Sequence, residues 1–279
     1  MRGIGKYIRR HWGLLLMEFL TLAGCLIILA PMCIMFLGAA KNTREANQAQ
    51  LSLPTEWHFE NFQIVFEKGN VGRAYANSLL ISLGTVVLTI TLSSGAGFYI
   101  ARRDSRFSKT SYYIFLIGLI APMTMITLIR LLQIFGLVNT LTGLILVFAA
   151  GSIPFSVFLF TGFVKNIPRE LDEAAIIDGC KSFQLFYRII LPLLTPVVAT
   201  NFIIVFMNAW NSFVTPLYLL KTSAKWPMPL TVYGFFGRFI SQWNLVFANL
   251  TLTALPILIV YLIGQKYIIS GMTAGAIKG

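Results

Sequence analysis

The 279-residue chain is 57% hydrophobic and only 11% charged, with a mean hydropathy of +0.76, a balance that excludes a soluble domain and fits several membrane spans. A net charge of +12 would suit a nucleic-acid ligand, but the lysines and arginines sit in short segments between apolar runs, so no nucleic-acid partner is expected. Cys25, Cys33 and Cys180 are an odd number, two in one apolar run and one in a polar island, and imply no disulfide framework.

Residues 1–12 carry Arg2, Lys6, Arg9 and Arg10 ahead of an apolar run at 13–38. Ala39 and Ala40 are small enough for signal cleavage, but the run is well beyond the ~7 to 15 residues of a signal core, so an uncleaved first span is expected. Glu18 within it is expected near the headgroups, where its carboxylate stays wet. The segment 39–73 balances Glu45, Glu56, Glu60 and Glu67 against Lys41, Arg44, Lys68 and Arg73, which suits the outer side. A core at 74–268 follows, with spans expected at about 74–101, 112–135, 141–164, 193–220 and 247–267, and the tail is 269–279. Gln242, Trp243 and Asn244 fall in the last outer loop, where they could meet an external partner.

Orientation follows from the basic residues. Placing the N-terminus inside also puts Arg102, Arg103, Arg106, Lys109, Lys165, Arg169, Lys181, Arg188, Lys266 and Lys278 there, while the longer outer loops add only Lys221, Lys225 and Arg238. Both termini are then cytoplasmic, and so is the polar island between the fourth and fifth spans.

That island, 168–192, reads as two short helices and a turn. Pro168 suits a first helical position, Glu170, Asp172 and Glu173 suit the positive end of a helix, and Gly179 suits a left-handed stop. Ser182 could cap a second helix through Arg188 that Pro192 kinks or ends. Leu171, Ala174, Ala175 and Asp178 fall near one face, with two alanines leaving room for another surface. An ordinary interfacial loop is the plain alternative.

Catalytic constellations are absent from the sequence. No GxxxxGK[ST] phosphate loop occurs, His11 and His58 are far apart and make no metal site, and no nucleophile elbow stands out, so no enzyme is expected.

Glu173-Ala174-Ala175, three residues, Gly179, eleven residues and Leu191-Pro192, together with Ile177-Asp178-Gly179, Phe183 and Pro196, resemble the EAA loop of membrane subunits of binding-protein-dependent ABC importers. Cys180 departs from the usual alanine, a small-for-small change. The resemblance implies that Glu173, Ala174, Ala175, Asp178, Gly179, Phe183, Leu191 and Pro192 form a cytoplasmic coupling hairpin seated on a partner ATPase dimer, which would bind ATP and Mg; no cofactor or metal is expected on this chain. Asn77-Ser78, the run Gly136 to Thr140, the run Asn208 to Phe213 and the tail Gly271 to Gly279 are similar to carbohydrate-importer permeases of the MalG type. That likeness implies a C-terminal tail reaching the ATPase through Thr273, Gly275 and Lys278, where a frayed terminus is the plain alternative. It also implies a second, MalF-like permease subunit, an extracytoplasmic sugar-binding protein and a multi-pass place in a bacterial or archaeal inner membrane.

The expected fold is therefore an all-α integral membrane protein of six transmembrane helices, working by alternating access on di- or oligosaccharides. Polar groups inside spans are default pathway candidates, and Asn208, Trp210 and Asn211 offer amides and an aromatic face to a sugar, although helix-to-helix hydrogen bonding would explain the asparagines equally well. Arg130, uncharged in the MalG-type pattern, either snorkels to the outer interface or meets an acidic substrate. It keeps a glycerol phosphate or diester importer of the same architecture open. A self-sufficient secondary transporter is the reading from another class, weakened by the lack of intramembrane carboxylates beyond Glu18 and of a clear repeat.

Overall fold

The computed structural model describes residues 2–235 and 242–276, with side chains for 12–14, 16–235 and 242–265. Arg238 and Lys278, assigned above to opposite sides, lie outside the described residues. Long helices α1 (Arg2–Ala39), α4 (Val71–Arg102), α7 (Leu141–Lys165) and α13 (Trp243–Ala276) alternate with shorter ones: α2 (Thr43–Ala46), α3 (Glu60–Lys68), α5 (Arg106–Ile120), α6 (Met125–Ile134), α8 (Glu170–Ile177), α9 (Ser182–Gln184), α10 (Leu191–Leu193), α11 (Thr195–Asn211) and α12 (Val214–Leu219). No strand occurs among the described residues.

Among the described residues four stretches are long and apolar enough to cross a membrane unaided, Trp12–Ala39, Val71–Arg102, Leu141–Lys165 and Trp243–Gln265, and counting each of two bent helix pairs as one span brings the number to six. The bends correct the sequence reading. The third span, expected as one helix over 112–135, is α5 and α6 joined at 120°. Pro122 disfavours helical geometry at the residue before it, and Ala121 accordingly sits at ψ 127°. The fifth, expected over 193–220, is bent by 76° before Thr195 and ends at Asn211. Pro196 has no N–H for the Pro192 carbonyl, which instead accepts a 2.6 Å hydrogen bond from Thr195 Oγ1. Pro216 then excludes a helical carbonyl at Ser212, whose ψ is 124°, so α12 is a separate short helix. The sixth runs farther than expected, from Trp243 to Ala276, and passes Pro256.

Two compact units make up the chain. The smaller comprises Met1–Asn70 with Val232–Leu252. Its centre holds a polar network. Asn61 Nδ2 donates to the carbonyls of Ala39 (3.0 Å) and Lys41 (2.9 Å), and Asn244 Nδ2 donates to Asn61 Oδ1 at 2.8 Å. The buried Lys41 ammonium donates to Gln50 O and Ser52 Oγ. Asn244, offered above as an outer-loop contact, is thus an internal tie, and Trp243 opens α13.

The larger unit, Val71–Thr231 with Thr253–Gly279, is built on α4 against α7, with α5 and α11 packed beside them. Ser78, Ser82, Thr85, Thr89, Ser93 and Gly97 recur at intervals of three or four on α4 and are all buried. Small side chains on one helical stripe let backbones approach closely, which is how apolar-solvated helices associate where burial from water supplies no force. Gly97 is the tightest point: a Cβ there would lie 2.7 Å from Phe160 Cβ and 3.0 Å from Thr161 N. Asn201 of α11 reaches the same layer, accepting from Ser156 Oγ at 3.0 Å.

Candidate functional site

The polar hairpin is built as the sequence predicts in its first half. Helix α8 carries Glu170, Asp172 and Glu173 in its first turn, where carboxylates suit the helix dipole. Pro168 does not open it; Arg169 takes the flanking position. At the far end Gly179 has φ +81°, and the amides of Gly179 and Cys180 donate to Ile176 O and Ala175 O at 3.0 and 2.9 Å. This paired closure satisfies the last carbonyls and needs the left-handed residue that glycine adopts without strain.

The second half differs from expectation. Ser182 is the first helical residue rather than the cap, and the Lys181 N–H donates to Gln184 Oε1 at 3.0 Å. Winding then widens to i→i+5 over Leu185–Ile190 and the helix continues through Pro192 to Leu193. The Arg188 carbonyl has no N–H to receive from Pro192, and a widened turn moves it clear of the pyrrolidine ring.

Packing divides the signature residues between two tasks. Ala175, 4% exposed, joins Ala101, Phe160, Val164, Leu185, Phe186 and Ile190 in one apolar cluster, with Leu191 and Cys180 against it. Glu173, Ala174, Asp178, Gly179 and Pro192 face outward. So do large apolar groups: Ile177 is 84% exposed and Phe183 72%, with Ile176 and Tyr187 beside them. Phe183 and Tyr187 rings stand 4.3 Å apart. The shared face expected for Leu171, Ala174, Ala175 and Asp178 is therefore split, because Ala175 turns to the cluster.

What fixes α8 to the helices was not foreseen. Arg102, the last residue of α4, donates from Nη1 to Ile167 O and from Nη2 to Asp172 Oδ1, both at 3.1 Å. Its Nε lies 2.6 Å from Asp172 Oδ2, an ion pair in which the N–H is not aligned with the oxygen. The two side chains are only 10% and 13% exposed, so a guanidinium fork grips a carboxylate at the base of the hairpin. In the sequence Arg102 stands as an orientation charge and Asp172 as a dipole partner, and nothing local links residues 70 apart.

The pathway candidates separate. Asn208 is exposed and lines a cavity of about 290 Å3 with Gly151, Ser152 and Phe155 of α7. Asn211, also exposed, ends α11. Trp210 corrects the reading: 1% exposed, it donates from Nε1 to Thr253 O at 3.1 Å and stacks on Phe206, so its ring faces are not offered to a ligand. Arg130 sits apart on α6, exposed, donating to Gln133 Oε1 at 3.3 Å. Thr273 and Gly275 lie in the last turns of α13, while the Thr273 side chain and Lys278 lie outside the described residues.

Two further stretches singled out in the sequence meet around one loop. Asn139, at φ +58°, accepts on Oδ1 from the amides of Lys221 and Thr222, donates from Nδ2 to Thr222 Oγ1, and its carbonyl accepts from Lys225 Nζ at 2.6 Å. Asn77 Nδ2 donates to Ala224 O and Trp226 O, and Ser78 accepts from the Met228 amide. Asn139→Gly keeps the backbone unstrained and deletes the side-chain bonds. Limited proteolysis should then cut the 221–227 loop about a hundredfold faster than in wild type, as ~1 kcal/mol for each of the three lost hydrogen bonds implies; unchanged cleavage would show that the Asn139 side chain does not hold the loop.

Comparison with known proteins gives a consistent picture. The family described as "binding-protein-dependent transport system inner membrane component" matches residues 89–274. A probable starch degradation products transport system permease protein, AmyC of Thermoanaerobacterium thermosulfurigenes, is 31% identical over 94% of this chain and 96% of its own. The melibiose/raffinose/stachyose import permease protein MelC of Bacillus subtilis is 34% identical over 81% of this chain and 83% of its own. Among solved structures, a chain of a bacterial ABC transporter involved in importing the acidic polysaccharide alginate superposes with a TM-score of 0.83 at 20% identity, covering 92% of this chain and 96% of that one.

Proposed function

Since the chain belongs to the family of binding-protein-dependent transport system inner membrane components, and is thus a transport component rather than an enzyme, we propose that it forms half of the membrane pathway of an importer for di- or oligosaccharides. The observation that carries the coupling part is the exposure of four large apolar side chains, Ile176, Ile177, Phe183 and Tyr187, on a hairpin anchored by Arg102 and Asp172. A soluble surface does not leave such large side chains on a polar hairpin without a partner. The partner is an ATPase dimer that binds ATP and Mg, with a second, MalF-like permease completing the pathway and an extracytoplasmic sugar-binding protein delivering substrate. In this reading the hairpin and both termini are cytoplasmic, and Thr273, Gly275 and Lys278 approach the ATPases.

Mechanically, closure of the ATPase dimer draws the paired hairpins together. Each hairpin is stiffened by the Gly179 closure and the Arg102 grip, so displacement passes to α4 and α7 and turns the cavity outward. The names of AmyC and MelC support oligosaccharides as the substrate class. The family match displaces the self-sufficient secondary transporter.

Phe183→Asp places a charge in the proposed docking face without touching the apolar cluster. Co-purification of an ATPase with the tagged chain should fall by more than tenfold while membrane insertion stays normal; wild-type recovery of the ATPase would sink the docking assignment. Stimulation of the complex by a binding protein loaded from a panel of oligosaccharides and glycerol phosphates then identifies the substrate. Response to a glycerol phosphate alone would overturn the sugar reading and bring Arg130 forward.

A further inference from the structure

Where the ends of α4 and α7 meet the start of α5 beside the hairpin, they line a half-open cavity of about 250 Å3 that none of the roles above uses. Arg103 and Lys109 reach it from the α4–α5 corner, Lys165 from the last turn of α7, and Arg169 from the residue flanking α8. Asp104 is the one carboxylate in the lining, and it is already matched: Lys109 Nζ lies 2.7 Å from its Oδ1. The hydrogen bond and charge of Lys109, with the Arg169 charge as a weaker cause, hold the Asp104 carboxyl below its ordinary range. Arg103, Lys165 and Arg169 form no salt bridge among the described residues. Lys165 Nζ stands 5.6 Å from the centre of the Tyr112 ring, so an aromatic wall faces the cations.

Basic side chains at cytoplasmic helix ends are usual. Four of them converging on one cavity, from three separate elements and against one neutralised acid, are a site for an anion. Ile100 and Ala101 add an apolar wall, which a free anion does not need and a phosphodiester with attached glycerol and acyl chains does. We propose that this cavity binds the phosphate of an anionic phospholipid headgroup from the inner leaflet. The inference rests on the topology proposed above, which places these helix ends at the cytoplasmic face. Because Arg169 flanks α8 and Arg102 at its base adjoins Arg103, a bound headgroup ties the coupling hairpin to α5 and α7.

Lipid retention by the complex purified through this chain tests it, read by native mass spectrometry after equal additions of phosphatidylglycerol and phosphatidylcholine. Wild type should retain phosphatidylglycerol selectively. Lys165→Gln with Arg169→Gln should reduce that retention roughly thirty-fold, since each basic group near a membrane surface contributes about fivefold to binding of an anionic lipid. Lys165→Arg with Arg169→Lys should restore it, which separates charge from fold. Lys181→Gln with Arg188→Gln removes the same charge outside the cavity and should leave retention unchanged. Equal retention by wild type and the cavity double variant, or equal loss in the outside pair, overturns the site. Displacement of the lipid by millimolar inorganic phosphate would assign the cavity to a soluble phosphate instead. Failure of the transport reading shows separately, as absence of an ATPase from the wild-type preparation.

Discussion

Arg102→Ala is expected to leave the protein in the membrane while lowering binding-protein-dependent uptake by tenfold or more. The substitution strands the Asp172 carboxylate at 13% exposure and frees the Ile167 carbonyl, at the one point where a charged fork joins α4 to the hairpin. Removing one partner of a buried pair costs about 3 to 5 kcal/mol, and a pair that keeps some water belongs at about 3. Asp172→Asn should behave alike but more mildly, because an amide can still accept from Nη2. Arg102→Lys keeps the charge and loses the fork, so partial coupling should survive. The decisive readout is the ratio of basal to binding-protein-stimulated ATPase activity. A loose hairpin uncouples the two; a variant with the wild-type ratio would remove the anchor from the mechanism.

Gly97→Leu should act on folding rather than coupling. The first added carbon already meets Phe160 Cβ at 2.7 Å and the Thr161 amide nitrogen at 3.0 Å, and backbone cannot rotate away as a side-chain tip can. Overpacking of this kind typically costs about 1 to 3 kcal/mol, and here it strikes the helix pair on which the larger unit is built. The amount of chain recovered from membranes, with its thermal stability in detergent, should both fall sharply. Gly95→Leu provides the comparison: a Cβ at Gly95 has nothing within 4 Å, so near-normal recovery is expected. Equal losses at both positions would mean that helix propensity, not the α4–α7 approach, sets the effect.

The four unbroken apolar helices were legible because a run of apolar residues long enough to cross a bilayer is a local property. So was the Gly179 closure, whose glycine sits after a short helix rich in early acids. The Glu-Ala-Ala signature identified the hairpin but not the division of labour within it. Ala174 and Ala175 are indistinguishable as text, yet one faces out and the other fills the apolar cluster. Trp210 misled for a related reason: an aromatic between two asparagines reads as a sugar platform, while its contact with Tyr75 and its hydrogen bond to Thr253 O depend on neighbours far away in sequence. The breaks at Ala121 and Ser212 were marked by Pro122 and Pro216, and the apolar runs across them concealed the signal.

By itself, the sequence determined the membrane class, the four unbroken apolar helices, the family and the short acidic helix closed by Gly179, all carried by residues adjacent or regularly spaced along the chain. Only the tertiary structure decided where two spans bend, which signature residues are exposed and that Arg102 holds Asp172, as well as the cavity gathered from Arg103, Lys109, Lys165 and Arg169. Ion pairs and cavities are made by elements that meet after folding, and their partners share no local pattern in sequence, so their energetics exist only once α4, α5, α7 and α8 are packed together.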